Sequence, residues 1–408
     1  MNAAINKERL WDSLMQLAEI GATPKGGVCR ISLSDEDRQA RDLFCAWARD
    51  AGCDVRIDAI GNIFARRQGR DASAAPVATG SHIDSQPLGG KFDGAYGVMA
   101  GLEVVRALND AGVETGAPLE IIDWTDEEGA RFAAGCIGSG VYSGHRELDE
   151  ALALSDADGT TVANALREIG YAGDLPPGSI PFKAYFEAHI EQGPVLESEG
   201  LAVGTVVGAQ GQRCFMVTVT GVDGHAGTLP MAKRQDSFVG TAKMTVALSE
   251  LATTFDPPAV ITVGHVRVSP NSRNTVPGQT VFTIDSRHPD AGILQRMEDD
   301  MMRICRDIAK ADGLELHIEP VTRAEPVTFD AGCVDALRTA CRERQIRFMD
   351  IHSGAGHDAC KIAAVAPAGM IFVPCEDGIS HNELENARAE DLATGAQVLL
   401  DAMLKVAG

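Results

Sequence analysis

Short apolar segments alternate with amphipathic helical stripes over the first half of the chain. Residues 76–80 form an apolar segment that predicts a buried strand, and residues 119–124 predict the next one. Between them, four apolar residues recur at the spacing of one helical face: Val98, Leu102, Val105 and Leu108. This order favours a mostly parallel sheet covered by helices, in which functional sites lie at the carboxyl ends of the strands.

The pattern changes between about residues 211 and 325. Four strands and two helices are predicted there, in chain order: strand 215–219, helix 236–251, strands 259–268 and 279–287, helix 293–308 and strand 314–318. The order β-α-β-β-α-β is that of a split βαβ, or ferredoxin-like, arrangement. It predicts a compact α+β domain inserted into the first one.

The α/β pattern resumes after about residue 326. A helix is predicted at 334–342, a strand at 370–373 and a last helix from Ala389 onward. We therefore predict a discontinuous α/β/α catalytic domain made of residues 1–210 and 326–408. The inserted domain would comprise residues 211–325.

Composition excludes several classes of function. A formal charge of -22 argues against binding to nucleic acid or to anionic membrane surfaces. No apolar run reaches the roughly 18 residues that a membrane helix needs, and the first ten residues lack the apolar core of a signal peptide. The 10 cysteines are scattered without a C-x-x-C pair, so we expect reduced thiols and a cytoplasmic location.

Five segments carry candidate metal ligands: 80–84, 89–94, 126–129, 187–194 and 378–383. His82 and Asp84 are two residues apart, so on an extended backbone they share a face, where one can bind metal while the other orients it. Asp93 lies among glycines before a helix, where a carboxylate can bridge two cations. The adjacent Glu127 and Glu128 are expected to divide their roles between a proton acceptor and a ligand.

Each of these signals has an ordinary structural alternative. A single histidine is more often a core or surface residue, and a pair of glutamates is usually a solvated helix face. The combination is what favours a metal site, because histidines and carboxylates at strand ends, in loops containing glycine, are the ligands that zinc prefers.

Eight motifs extend this pattern: GSHIDSQPLGGKFDGAYGV (80–98), DWTDEEGARF (123–132), EAHIEQGPVLE (187–197), GVDGHAGTLPM (221–231), PNSRNTVPG (270–278), DSRHPD (285–290), SGAGHDA (353–359) and GISHNELE (378–385). With them the sequence closely resembles the hydantoinase/carbamoylase family of zinc amidohydrolases, within the aminoacylase/carboxypeptidase-like superfamily. The resemblance runs from about residue 8 to the C-terminus.

The resemblance implies two divalent metal ions per subunit, zinc with Mn²⁺ or Co²⁺ as substitutes. The implied ligands are Asp93 as a bridge, His82 and His189 for one ion, and Glu128 and His381 for the other. Glu127 would be the general base, and Asp84 would orient His82. A histidine at position 189 points to the carbamoylase branch.

Further roles follow from the same resemblance. His225 would donate to the oxyanion, and the implied substrate contacts are Gln192, Asn274, Arg287 and Gly356. For Arg287 a surface ion pair with Asp285 or Asp290 is the alternative. The remaining histidines are expected to be mainly structural: His145, His265, His288, His317, His352 and His357.

The inserted domain is implied to form the interface of a homodimer, with His225 acting in the partner's active site. Since lid residues and metals would lie on different domains, catalysis should require closure. The predicted activity is hydrolysis of an N-carbamoyl-L-amino acid to the amino acid, ammonia and CO2. Alternatives are an allantoate amidohydrolase, a β-ureidopropionase, an aminoacylase or dipeptidase, and a catalytically silent dimeric scaffold. His189 argues against the aminoacylase, and the presence of every ligand argues against the scaffold.

Overall fold

The structure, a computed structural model, describes residues 3–408. The chain forms two compact units. Unit 1 combines the residues up to Val207 with Thr328–Gly408, and unit 2 comprises Gly208–Val327. Catalytic and lid roles for these units remain predictions.

The first part of the chain contains α1 (Lys7–Ala18), α2 (Asp35–Asp50), β1 (Asp54–Ile57), β2 (Ile63–Arg67), β3 (Val77–Ser81), α3 (Ala95–Asp110), β4 (Leu119–Asp123), α4 (Ile137–Tyr142), α5 (Leu148–Ala153), α6 (Val162–Ile169), β5 (Ala184–Ile190), α7 (Val195–Glu199) and β6 (Val203–Ala209). Next come β7 (Gly211–Thr220), β8 (Gly224–His225), a 3-10 turn (Met231–Lys233), α8 (Ser237–Ala252), β9 (Val260–Thr262), β10 (Val266–Ser269), β11 (Thr275–Val276), β12 (Gln279–His288), α9 (Ala291–Asp312) and β13 (Glu315–Ala324). The chain ends with β14 (Val327–Thr328), α10 (Ala331–Glu343), β15 (Phe348–Ser353), α11 (Asp358–Ile362), β16 (Ala368–Val373), a 3-10 turn (Glu376–Gly378) and α12 (Ala389–Ala407).

The central sheet of unit 1 has the strand order β1-β2-β4-β3-β5-β16-β6-β14, with β15 paired to β6. Its centre, β4-β3-β5-β16, is parallel. The pairs β1–β2, β2–β4 and β16–β6 are antiparallel. The predicted parallel arrangement is therefore found among the four central strands, whereas the pairs that flank them are antiparallel.

The four central strands are buried along their whole length. Helices α3, α11 and α12 contact them, which explains why these strands are continuous apolar segments rather than alternating ones. The parallel order brings the carboxyl ends of all four strands to one edge of the sheet. Sites are expected at that edge.

Unit 2 contains an antiparallel sheet of order β10-β12-β7-β13, with β9 also paired to β12. Along β7, buried residues alternate with partly exposed ones, and α8 and α9 contact the sheet. The strand predicted at 259–268 is broken into β9 and β10, which pair with successive parts of β12. Among the helices in residues 3–408, none has the length and apolar character that a bilayer span requires.

Candidate metal centre and active site

The predicted ligands of unit 1 come together at the carboxyl edge of the parallel strands. His82 follows β3, Glu128 follows β4, and His189 lies near the end of β5. Asp93 directly precedes the N-terminus of α3, and His381 lies in the loop after β16. Residues far apart in sequence therefore meet because their strands are neighbours in the sheet.

Three buried side chains form the first set of possible ligands: His82, Asp93 and His189. The Nε2 atom of His189 lies 3.1 Å from Oδ1 of Asp93, and the Nε2 atom of His82 lies 3.8 Å from the same oxygen. These three atoms can face one metal ion.

The second set uses the other oxygen of Asp93. The Nε2 atom of His381 lies 3.4 Å from Oδ2 of Asp93 and 3.3 Å from Oε2 of Glu128. Asp93 thus presents one oxygen to each set, which is the arrangement a bridging carboxylate needs.

Backbone carbonyls orient the two buried histidine rings. The Nδ1 atom of His82 lies 3.0 Å from the carbonyl oxygen of Asp84, and that of His189 lies 2.9 Å from the carbonyl of Ile190. With Nδ1 as the donor, Nε2 of a neutral ring is the acceptor that a metal requires. Burial lowers the pKa of His189, but the hydrogen bond and charge of Asp93 raise it to about 9, so a metal ion bound there would displace a proton from Nε2. The carboxylate of Asp84 is farther from the ring, at 3.6 Å. It accepts instead from the backbone N–H groups of Glu127 and Glu128, both at 3.3 Å.

Buried carboxylates dominate the electrostatics of this site. Burial raises the pKa of Glu128 to about 8, and the charge of Asp93 adds to the shift. Burial, followed by the charges of Asp358 and Glu128, raises the pKa of Glu127 well above its ordinary value. Burial opposes ionisation of Asp93 too, but the hydrogen bond and charge of His189 hold its pKa below the usual range. So many buried carboxylates cost free energy unless cations neutralise them. Because zinc binds histidine nitrogens and carboxylate oxygens, these residues fit a divalent metal centre.

Glu127 belongs to neither ligand set. Its Oε2 atom lies 3.6 Å from Nε2 of His82, and its Oε1 atom accepts a hydrogen bond from Sγ of Cys136 at 3.2 Å. The carboxylate therefore lies beside the possible metal ligands with one oxygen directed toward them. This position suits a group that exchanges protons with a reacting water.

Comparison with known proteins identifies the family. The model of Peptidase family M20/M25/M40 matches residues 78–405. The chain belongs to this family. M20 enzymes are metal-dependent hydrolases. Their metal dependence agrees with the sets of possible ligands described above.

Several relatives extend over the whole chain. An N-carbamoyl-L-amino-acid amidohydrolase of Rhizobium meliloti is 43% identical over 410 residues, covering 100% of this chain and 98% of the relative. An allantoate amidohydrolase of Escherichia coli (strain K12) is 35% identical over 404 residues, covering 96% of each chain. A solved structure of a hydantoinase/carbamoylase family amidase from Burkholderia multivorans has a TM-score of 0.96 at 50% identity, covering 99% of this chain and 98% of that one. This M20 chain is accordingly a hydrolase of amide C–N bonds.

Two predicted substrate contacts of the M20 chain lie in unit 1. Gln192 donates from Nε2 to Oδ2 of Asp93 at 2.9 Å and to Oγ of Ser380 at 3.2 Å. Gly356 lies in the turn between β15 and α11. The backbone N–H of Ala359, near that turn, donates to the buried carboxylate of Glu187 at 2.7 Å. Gln192 therefore borders the possible ligands, whereas Gly356 lies in a turn next to the segment that contacts Glu187.

The other predicted residues lie in unit 2. The Nδ1 atom of His225 accepts from the backbone N–H groups of Gly227 and Thr228, at 3.1 and 3.2 Å. The proton of the neutral ring is therefore on Nε2, which can act as a donor. The carbonyl of Asn274 accepts from the N–H of Ala226 at 2.9 Å, where β8 and β11 pair. His225 and Asn274 thus lie on neighbouring short strands or at their ends.

Arg287 forms an ion pair with Asp285, which was the alternative to a substrate contact. Its Nε atom lies 3.0 Å from Oδ1 of Asp285 and its Nη2 atom 3.4 Å from Oδ2. The side chain is 35% exposed. A role in binding substrate remains a prediction.

Sequence reasoning overlooked residues that support the site rather than form it. Glu385 and Ser380 are hydrogen-bonded around Asp93, and Cys136 contacts Glu127. His357 was expected to be mainly structural, yet its ring centroid lies 4.6 Å from that of His189. Glu385 ends the GISHNELE motif, four residues after His381, and that position was the available signal.

Proposed function

We propose that this enzyme hydrolyses the carbamoyl C–N bond of an N-carbamoyl-L-amino acid, giving the amino acid, ammonia and CO2. The observation that carries the proposal is Asp93, whose two oxygens face different sets of possible ligands beside Glu127. The name of the relative from Rhizobium meliloti supports this substrate class, because the two chains correspond over their whole length. A cytoplasmic location, expected from the scattered cysteines, is part of the proposal.

The proposed cofactor is a pair of divalent ions, zinc by preference and Mn²⁺ or Co²⁺ as substitutes. His82 and His189 would hold one ion, Glu128 and His381 the other, and Asp93 would bridge them. When bound, such ions would polarise a carbonyl and lower the pKa of a water molecule. The mixed nitrogen and oxygen donors support this assignment.

Glu127 is the proposed general base. Its Oε2 atom takes a proton from the attacking water, which forms a bond to the carbamoyl carbon. The proton then passes to the nitrogen of the amino acid as its bond to the carbamoyl carbon breaks, and the carbamic acid that is released decomposes to ammonia and CO2. His225 is proposed to donate from Nε2–H to the developing oxyanion, a role supported by the two backbone N–H groups that occupy Nδ1.

Substrate recognition is proposed to rely on a carboxylate clamp. The planar guanidinium of Arg287 can donate hydrogen bonds to both oxygens of a substrate carboxylate. The side-chain amide of Asn274 is proposed to contact the same carboxylate. Gln192 and Gly356 are the proposed contacts in unit 1. The pairing of Arg287 with Asp285 supports this role by fixing the orientation of the guanidinium.

A homodimer through unit 2 is also part of the proposal. Phe238, Val239 and Val246 of α8 are exposed apolar side chains that recur at helical spacing. A second copy of the chain would cover such a face. Light scattering should give the mass of a dimer for the wild type and of a monomer for Phe238→Glu/Val246→Lys, whereas a monomeric wild type would contradict the proposal.

The substrate proposal can be tested by measuring ammonia release from metal-loaded enzyme. The panel comprises N-carbamoyl-L-amino acids, their D-enantiomers, N-carbamoyl-β-alanine and allantoate, with N-acetyl amino acids assayed for release of the free amino acid. We expect the highest kcat/KM for an N-carbamoyl-L-amino acid, loss of activity on chelation, and recovery with Zn²⁺, Mn²⁺ or Co²⁺. Full activity of metal-free protein, checked by elemental analysis, would overturn the metal mechanism.

An allantoate amidohydrolase is the second candidate function. It is favoured by the 35% identity to the Escherichia coli enzyme of that name over nearly the full length of both chains. A kcat/KM for allantoate above that for every N-carbamoyl-L-amino acid would establish this alternative instead.

A further inference from the structure

Glu385 is a buried glutamate that contacts the loop carrying Asp93. The residue is only 1% exposed. The Oε1 atom accepts from the backbone N–H of Phe92 at 2.9 Å and from that of Asp93 at 3.1 Å. Residues nearly 300 positions apart in sequence are joined by this carboxylate, which therefore fixes the backbone of the possible bridging ligand.

The shape of the Asp93 loop matches the Glu385 carboxylate. Gly90 lies where a Cβ atom would overlap the carboxyl group of Glu385. The absence of a side chain at this glycine lets the loop close around the carboxylate. A side chain at position 90 would therefore displace the Glu385 carboxylate from the Asp93 loop.

The second carboxylate oxygen of Glu385 is connected to the side chain of Asp93 through the hydroxyl of Ser380. The hydroxyl of Ser380 lies 3.1 Å from Oε2 of Glu385 and 2.9 Å from Oδ2 of Asp93. It has one proton and can donate to one of these oxygens at a time. Ser380 also directly precedes His381, so this hydroxyl connects the loops of two possible ligands.

We propose that Glu385 is a positioning residue that holds the Asp93 loop and the Ser380–His381 loop together and thereby sets the metal affinity of the centre. This inference rests on the metal centre of the proposed function. Hydrogen bonds that neighbouring residues make to metal ligands orient those ligands. Their removal typically weakens metal binding about 10- to 100-fold. A carboxylate is suited to the task because it accepts on both oxygens.

Glu385→Ala and Glu385→Gln distinguish the hydrogen bonds of Glu385 to the Phe92 and Asp93 backbone from its contact with Ser380. Alanine removes every acceptor, whereas glutamine keeps a carbonyl oxygen for the N–H groups of Phe92 and Asp93. Ser380→Ala removes only the connection through the hydroxyl. We expect the dissociation constant for Zn²⁺ to rise about 10- to 100-fold for Glu385→Ala and less for the other two variants.

Glu103→Ala is the matched control. Glu103 is a glutamate as buried as Glu385, and its carboxylate also accepts a backbone N–H, that of Asn6, at 2.9 Å. It also pairs with Arg9, and neither of these hydrogen-bond partners, Asn6 and Arg9, is a possible metal ligand. Its loss should lower the midpoint of thermal unfolding without changing the dissociation constant for Zn²⁺.

The measurement is a competitive titration of chelator-treated apoprotein with zinc chloride, accompanied by thermal unfolding of the apo and zinc-loaded forms. A dissociation constant for Glu385→Ala equal to that of the wild type would overturn the inference. If Glu385→Ala does not fold, unchanged zinc binding by both Glu385→Gln and Ser380→Ala would overturn it equally. A wild type that binds no zinc would instead overturn the proposed metal centre, so the two failures are distinguishable.

Discussion

The Sγ atom of Cys136 lies 3.2 Å from Oε1 of Glu127, and the thiol donates a hydrogen bond to the carboxylate. The backbone N–H of Cys136 also donates to the carbonyl oxygen of Glu127 at 2.9 Å. Cys136 has a φ of 52°, a left-handed conformation that is uncommon for a residue with a side chain. Burial, together with the charge of Glu127, raises the pKa of the Cys136 thiol well above its ordinary value, so the thiol remains a donor.

Replacing Cys136 with alanine should lower kcat about two- to tenfold, because a net hydrogen bond of this kind contributes about 0.5–1.5 kcal/mol. KM should change little, since the thiol contacts the base and not the substrate. Cys136→Ser keeps a donor and should retain most of the activity. Steady-state kinetics with metal content determined for each variant will measure these effects.

Cys341→Ala provides the control for Cys136→Ala. Cys341 is a buried cysteine of α10 that lies in the hydrophobic core, so its loss should affect stability and leave kcat unchanged. In a Glu127→Gln background, Cys136→Ala should cause no further loss. A Cys136→Ala enzyme with wild-type kcat would contradict the orienting role.

Glu127→Gln should lower turnover by several orders of magnitude while folding and metal content remain nearly intact. The amide cannot accept the proton of the attacking water, and Glu127 belongs to neither ligand set. Single-turnover kinetics and elemental analysis test the two parts separately. Retention of more than about a tenth of the wild-type kcat would rule out Glu127 as the base.

Arg287→Ala should raise KM about ten- to hundredfold, because a charge-assisted bidentate contact contributes about 1.5–3 kcal/mol. Arg287→Lys should rescue poorly, since an ammonium group lacks the planar fork. Asp285→Asn disrupts the ion pair that orients Arg287 but keeps the guanidinium, so it should raise KM less than Arg287→Ala does. A wild-type KM for the Arg287→Ala enzyme would contradict the carboxylate clamp.

His225→Ala should lower kcat, because the side chain is proposed to stabilise the oxyanion. If His225 acts in the partner's site, mixing inactive His225→Ala protein with inactive Glu127→Gln protein should recover part of the activity. One site of the mixed dimer would then combine an intact Glu127 with an intact His225. Native mass spectrometry must establish subunit exchange, and exchange without recovered activity would mean that His225 acts within its own chain.

The sequence predicts secondary structure best where the apolar period is long. The helix predicted from residues 98–108 is found as Ala95–Asp110, and the strand predicted at 119–124 as Leu119–Asp123. The prediction was wrong for 259–268, where one strand is replaced by β9 and β10. Apolar alternation does not reveal such a break, because both parts present side chains with the same period of two.

The short pair β8–β11 was not predicted at all. Each strand has two residues, too few for a periodic signal. The pairing depends on contacts between segments about fifty residues apart, and a local pattern carries no information on such contacts. His225 owes its position to this pair.

By itself the sequence determined the chemical types at the site and their attachment to strand ends and glycine loops. Apolar period and loop composition are local properties, and they marked the five segments that carry candidate ligands; the resemblance to a known family then implied His82, Asp93, Glu128, His189 and His381 as the ligands. Only the tertiary structure decided which atom faces which: the two oxygens of Asp93 point to different sets, and the ring of His82 is oriented by the carbonyl of Asp84 rather than by its carboxylate. It also decided the supporting contacts of Glu385 and Cys136, because hydrogen bonds depend on distances between side chains that are set when the strands pack side by side.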